Sequence, residues 1–158
     1  AVANSPHFFT SSKVAKRALP YSPPPRNGLD TAATAAASCA GIPLTHRDYA
    51  QSVKFVTACL KTDTMNDNFE GLLDDSQTVV FYMGLKQLER LTDGLVQAGK
   101  SPQTPIAIIA NASLPNQQVL TGTLEDIVAK QAHAQLPAPA ILIMGNVVKL
   151  HQTLGQHP

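Results

Sequence analysis

Cysteine is nearly absent. Cys39 and Cys59 are the two in the chain, they form no CxxC pair, and neither has histidines at metal-ligand spacing. That excludes a disulfide framework and a thiolate zinc site, so no metal is expected. Both thiols read as small packed hydrophobes of a reduced, cytoplasmic protein. Charge is scarce too. Charged residues make up 15% of the chain and the formal net charge is +1, which leaves no basic footprint for nucleic acid or an anionic membrane surface. There is no apolar run of the ~18 residues that a membrane span needs. Catalytic signatures are missing as well: no P-loop, GxGxxG, GxSxG or HExxH string occurs.

What is present suits one soluble domain. A hydrophobic share of 44% is too apolar for general disorder, and 158 residues are enough for one core. Residues 1–28 differ in kind. They hold no acidic residue, four scattered cations and the run Pro23-Pro24-Pro25, and so read as an irregular arm or displaced segment. From Asp30 the texture is regular. Asp30 can cap an Ala-rich helix over 31–40. Residues 54–60 and 78–83 are β-rich. Leu85, Leu88, Leu91 and Leu95 recur at helical spacing up to Gly99. Residues 106–110 and 118–121 read as strands joined by a tight turn at Pro115-Asn116. Thr123 to Asp126 has the form of a capping box, opening a helix that runs to about His133. Pro137 and Pro139 end that helix, and the continuous apolar run 140–144 suits a strand covered on both faces. The expectation is an α/β domain with a mixed, five-stranded sheet flanked by helices.

The most specific string is Gly41-Ile42-Pro43-Leu44-Thr45-His46-Arg47-Asp48-Tyr49-Ala50-Gln51. Composition alone reads it as a solvated loop. Together with Thr78-Val79-Val80-Phe81-Tyr82-Met83-Gly84-Leu85, Asn111-Ala112-Ser113-Leu114-Pro115-Asn116-Gln117, Thr121-Gly122-Thr123-Leu124 and Pro139-Ala140-Ile141-Leu142-Ile143-Met144-Gly145, it makes the chain similar to a known family. The family is the uroporphyrinogen-III C-methyltransferases among the tetrapyrrole methylases, including the C-terminal module of sirohaem synthases.

The resemblance implies two α/β domains with S-adenosylmethionine in the cleft between them, in a homodimer, with uroporphyrinogen III as substrate. This chain would supply the second domain over 29–150, followed by a tail at 151–158. Carried over by position, Thr31 and Ala32 at a helix start, Met83 after its strand and Ala112 would touch the cofactor. A helix N-terminus suits a carboxylate, and a thioether can pack on adenine or the sulfonium region. Read without the family, these residues are a plain helix start, a core methionine and a strand end. His46, Arg47, Tyr49 and Lys54 are candidates for substrate carboxylates, which guanidinium can hold through paired hydrogen bonds; Arg47 reads equally as the partner of a neighbouring Asp.

The family's Gly-Pro-Gly-Asp loop and its Gly-Gly-Asp-Pro segment do not occur in this sequence. The residues the family uses for proton transfer lie in that half, so the catalytic residues stay unassigned. With no initiator Met and Arg26-Asn27-Gly28-Leu29-Asp30 where relatives carry Pro-Gly before Thr-Ala-Ala, a fragment or an upstream frame shift is the expectation. The expected activity is that of a methyltransferase part making precorrin-2 for sirohaem or cobalamin. The alternative is an inactive half-domain that folds or dimerises.

Overall fold

In the computed structural model residues 32–58 and 67–155 are described. The expected arm at 1–28, Thr31 and Cys59 lie outside them. Helix α1 (Ala32–Cys39) precedes strand β1 (Ser52–Thr57), and β2 (Gln77–Tyr82) leads to α2 (Leu88–Gln97). Then come β3 (Pro105–Ala110), β4 (Gln118–Thr123), α3 (Ile127–Ala134), β5 (Ala140–Met144) and a short α4 (His151–Leu154). The strands form one sheet in the order β1-β2-β5-β3-β4. β1 and β2 are parallel, and the other pairs are antiparallel. The expected α/β domain with a mixed five-stranded sheet is therefore present, and the Pro115-Asn116 turn does join an antiparallel pair.

The apolar runs are continuous because both faces of the sheet are covered. Val79 and Phe81 of β2, Ile106 and Ile108 of β3, and Leu142 and Met144 of β5 share one face. There they pack with Leu88, Leu91 and Leu95 of α2 and Ile127 of α3. The alternate residues Val80, Ala107, Ile109, Ile141 and Ile143 meet Ala33, Ala36 and Ala37 of α1, together with Val147 and Val148. Each fully buried Leu, Ile or Phe contributes roughly 1.5–3 kcal/mol, so these two layers dominate stability.

Element ends differ from the expectations for local reasons. β2 stops before Met83, which takes φ 55°, a left-handed conformation that leaves the strand. The leucine-periodic helix opens with a 3-10 turn at Leu85–Gln87 before α2 proper. It ends as expected at Gly99, with φ 116°: the Lys100 amide donates to Leu95 O at 2.9 Å and the Gly99 amide to Val96 O at 3.1 Å. Of the capping box, the carboxylate half forms, Asp126 Oδ1 accepting from the Thr123 amide at 2.7 Å. Cys39 is exposed rather than packed, with Sγ 3.5 Å from Ser113 Oγ, because it faces the β3–β4 loop from the last turn of α1.

Candidate functional site

Three chain segments meet where β2 ends and β5 begins. Ala32 opens α1, Met83 follows β2, and the Ala138-Pro139 peptide, which is cis, leads into β5. A hollow of about 460 Å³ lies among them, lined by Ala32, Tyr82, Met83, Leu85, Lys86, Gln87 and residues 138–141. A second lobe of about 190 Å³ shares Ala32, Pro139, Ala140 and Ile141 with it and extends over Ala35, Ile109 and residues 111–114. Met83, Ala32 and Ala112, far apart in sequence, thus line one continuous two-lobed surface. Its size is within the ~300–1,000 Å³ of small-molecule sites.

Two features separate this end of the sheet from ordinary surface. The large hydrophobics exposed among the described residues are Phe55, Met83 and Leu114, and Met83 (61%) and Leu114 (55%) both line the hollow. Apolar area left open in a concavity marks a binding surface. Among the described residues the non-glycine positions with positive φ are Met83, Asn111, Ser113 and Gln135, and the first three line it as well. Such conformations cost about 1 kcal/mol or more each and concentrate where a site demands them.

The β3–β4 loop is held against α1 by Gln117. Its Oε1 accepts from the Ser113 amide at 2.9 Å, and its Nε2 donates to Cys39 O at 3.2 Å. One side chain therefore links the loop carrying Ala112 to the last turn of the helix whose first residue forms the other wall. The same end of α1 is held a second time: His151 Nδ1 donates to Ala40 O at 2.6 Å.

His46, Arg47 and Tyr49 lie elsewhere. Their loop closes through an isolated bridge between His46 and Ala50, and the next residue, Gln51, donates its amide to Ser76 O just before β2. That is the beginning of β2, while Met83 follows its end, about 17 Å away along six residues of strand. The His46 and Tyr49 rings are 5.1 Å apart. His46 Nδ1 lies 3.2 Å from the Asp48 amide nitrogen, which donates to it, and 3.8 Å from Asp48 Oδ2. The Arg47 side chain is exposed and pairs with no described Asp or Glu.

Lys54 shares its face of β1 with Val56, which packs on the α2–α3 side, whereas Val53 packs on the α1 side. Its Nζ donates to Gly71 O at 3.3 Å, in a groove with Phe55, Asn68 and Glu70. The structure therefore gathers three of the four candidate cofactor residues, Ala32, Met83 and Ala112, Thr31 lying outside the described residues, and separates from them the four candidate substrate residues, which themselves divide between two faces. Sequence reading missed Leu114, Gln117 and Lys86. Lys86 stands three residues beyond Met83 in a helical turn, a spacing that could have indicated it. Among the described residues no cluster of His, Cys, Asp or Glu could hold a metal, and no helix is long and apolar enough to cross a membrane.

Comparison with known proteins agrees with this architecture. A siroheme synthase from Psychrobacter arcticus is 65% identical over 125 residues, covering 79% of this chain and 23% of that protein. A crystal structure of uroporphyrin-III C-methyltransferase from Thermus thermophilus is 32% identical with a TM-score of 0.60, covering 77% of this chain and 50% of that one. A structure of uroporphyrin-III C-methyl transferase from Thermus thermophilus complexed with S-adenyl homocysteine superimposes with a TM-score of 0.63 at 24% identity, covering 74% of this chain and 51% of its own. The chain thus spans about a quarter of the length of the curated relatives it matches. Residues 31–128 match the tetrapyrrole (corrin/porphyrin) methylases, and by that match over more than half its length the chain belongs to this family.

Proposed function

We propose that this chain is part of an S-adenosylmethionine-dependent uroporphyrinogen-III C-methyltransferase, and that the two-lobed hollow forms one wall of its cofactor site. The observation that carries the reading is the meeting of Ala32, Met83 and Ala112 on one apolar concavity. S-adenosylhomocysteine and its methylated parent are flat and apolar at the adenine and polar at the amino acid. The hollow fits them in kind. Small side chains at Ala32, Ala112 and Ala140 leave room for a ring, and the Met83 thioether can pack on it without demanding a hydrogen bond. The start of α1 stands at the edge of the hollow, and a helix N-terminus suits a carboxylate, with Thr31 completing that end in the proposal. A relative complexed with S-adenyl homocysteine supports the ligand, and a siroheme synthase as relative supports the sirohaem branch, with cobalamin as the other outlet of precorrin-2.

S-adenosylmethionine supplies a sulfonium methyl group, to be transferred to pyrrole carbons 2 and 7. The chain's own residues position and dehydrate: Tyr82, Leu85, Pro139 and Ile141 exclude water from the hollow, and the left-handed turns at Met83 and Asn111 fix its rim. His46, Arg47, Tyr49 and Lys54 remain proposed contacts for outlying carboxylates of the large substrate, supported by the resemblance. A homodimer in the cytoplasm completes the proposal on the same support.

The test is complementation. The purified chain is mixed with S-adenosylmethionine and uroporphyrinogen III, with and without a separately expressed N-terminal half of a relative, and precorrin-2 is followed by absorbance. Methylation should occur only in the mixture, because orientation and proton transfer act when both walls are present. Turnover by the chain alone at enzymatic rates would refute the shared site; a silent mixture of two folded parts would favour the inactive half-domain.

A further inference from the structure

We propose that Lys86 binds a ligand carboxylate at the mouth of the two-lobed hollow, a role that rests on the methylase reading above. Lys86 is the one charged residue among those lining either lobe, and neither lobe carries an acidic residue. Its side chain is exposed and makes no ion pair or hydrogen bond with a described residue. The nearest following carboxylate, Glu89, lines a separate hollow with Asp93 and Glu125, and no described carboxylate pairs with the ammonium. An unpaired cation beside an apolar concavity fits a ligand with an apolar body and an anionic extension, since the pair forms partly out of water. Lysine's flexible stem suits a carboxylate that itself swings on a short chain. The cations chosen from sequence do not meet this need. His46 and Arg47 lie at the other end of β2, and Lys54 lines a different groove, bonded to Gly71 O.

Two carboxylates could be the partner, that of the amino-acid end of the cofactor and those of the tetrapyrrole, and three probes distinguish them. The full chain is titrated with uroporphyrin III, which is rich in carboxylates, with S-adenosylhomocysteine, which has one, and with 5′-methylthioadenosine, which has none. Lys86→Gln, Lys86→Glu, Lys86→Arg and Met83→Asp are compared with the parent. Lys86→Gln should weaken one carboxylate ligand about tenfold and Lys86→Glu further, while Lys86→Arg largely restores it and methylthioadenosine binds all three alike. A loss confined to S-adenosylhomocysteine assigns the cofactor carboxylate, and one confined to uroporphyrin III assigns the substrate's. If Lys86→Gln binds both carboxylate ligands as the parent does while Met83→Asp weakens methylthioadenosine, the Lys86 proposal is overturned and the hollow stands. If Met83→Asp changes no adenosine ligand, the reading of the hollow fails and takes Lys86 with it.

Discussion

Met83 leaves β2 at φ 55° with 61% of its surface exposed. Both facts count against it as a core residue, because a left-handed backbone costs a side-chain-bearing residue about 1–2 kcal/mol and little burial offsets that. Stability and binding should therefore separate at this position. Met83→Gly is expected to raise unfolding stability by about 0.5–1 kcal/mol in urea melts, since glycine adopts positive φ without strain, and to weaken S-adenosylhomocysteine. Met83→Asp should cost at least ~1.4 kcal/mol of that affinity, a tenfold change by calorimetry, because a carboxylate would lose water beside the ligand. A Met83→Gly variant that is less stable than the parent would show that the thioether packs in the fold. Sequence could assign a cofactor role here only by resemblance, because no local pattern announces that a strand will end in a left-handed methionine.

The elements were legible wherever one periodicity ran without interruption. Leucine spacing with Gly99 specified α2 and its cap even though Thr92 shares the buried face, and the unbroken apolar run before Gly145 specified a strand covered on both faces. The box at Thr123 was legible in half. Burial pushes the Asp126 pKa up, but hydrogen bonds from Lys130 and Thr123 and the Lys130 charge outweigh it, and the net direction is below the ordinary 3.8. A carboxyl lowered on folding contributes stability above its unfolded pKa and loses it as pH falls through the folded value. Asp126→Asn should therefore cost about 0.5 kcal/mol at pH 7, a modest figure for a half-exposed pair, and the difference should vanish in melts near pH 2. A cost that is equal at both pH values would remove the charge from the account.

The packing of α1 was not legible, since it depends on contacts over a hundred residues apart. Gly41 has φ 64°, and a Cβ there would come within 2.6 Å of the Gly155 backbone nitrogen. Gly41→Ala combines strain with a backbone clash and should cost about 2 kcal/mol or more in denaturant unfolding. A neutral effect would mean that the segment at His151–Leu154 does not hold α1.

At the scale of the molecule, the resemblance and the periodicity identified the fold, while the arrangement of charge required coordinates. A cluster of His, Arg and Tyr reads as a site in one dimension, yet its loop closes at the start of β2, and alternation along β1 turns Lys54 toward the opposite face. The residues that do converge, Ala32, Met83, Ala112 and Lys86, are mostly small or apolar and carry little chemical signal of their own. The central claim is that this end of the sheet holds an S-adenosyl ligand. The direct measurement is a titration of the isotopically labelled chain with S-adenosylhomocysteine, following backbone amide shifts. The account predicts saturable shifts at Ala32, Met83, Asn111, Ala112 and Ser113, with the loop from His46 to Tyr49 undisturbed; shifts centred on that loop or on the groove at Lys54, with Met83 and Ala112 unmoved, would contradict it.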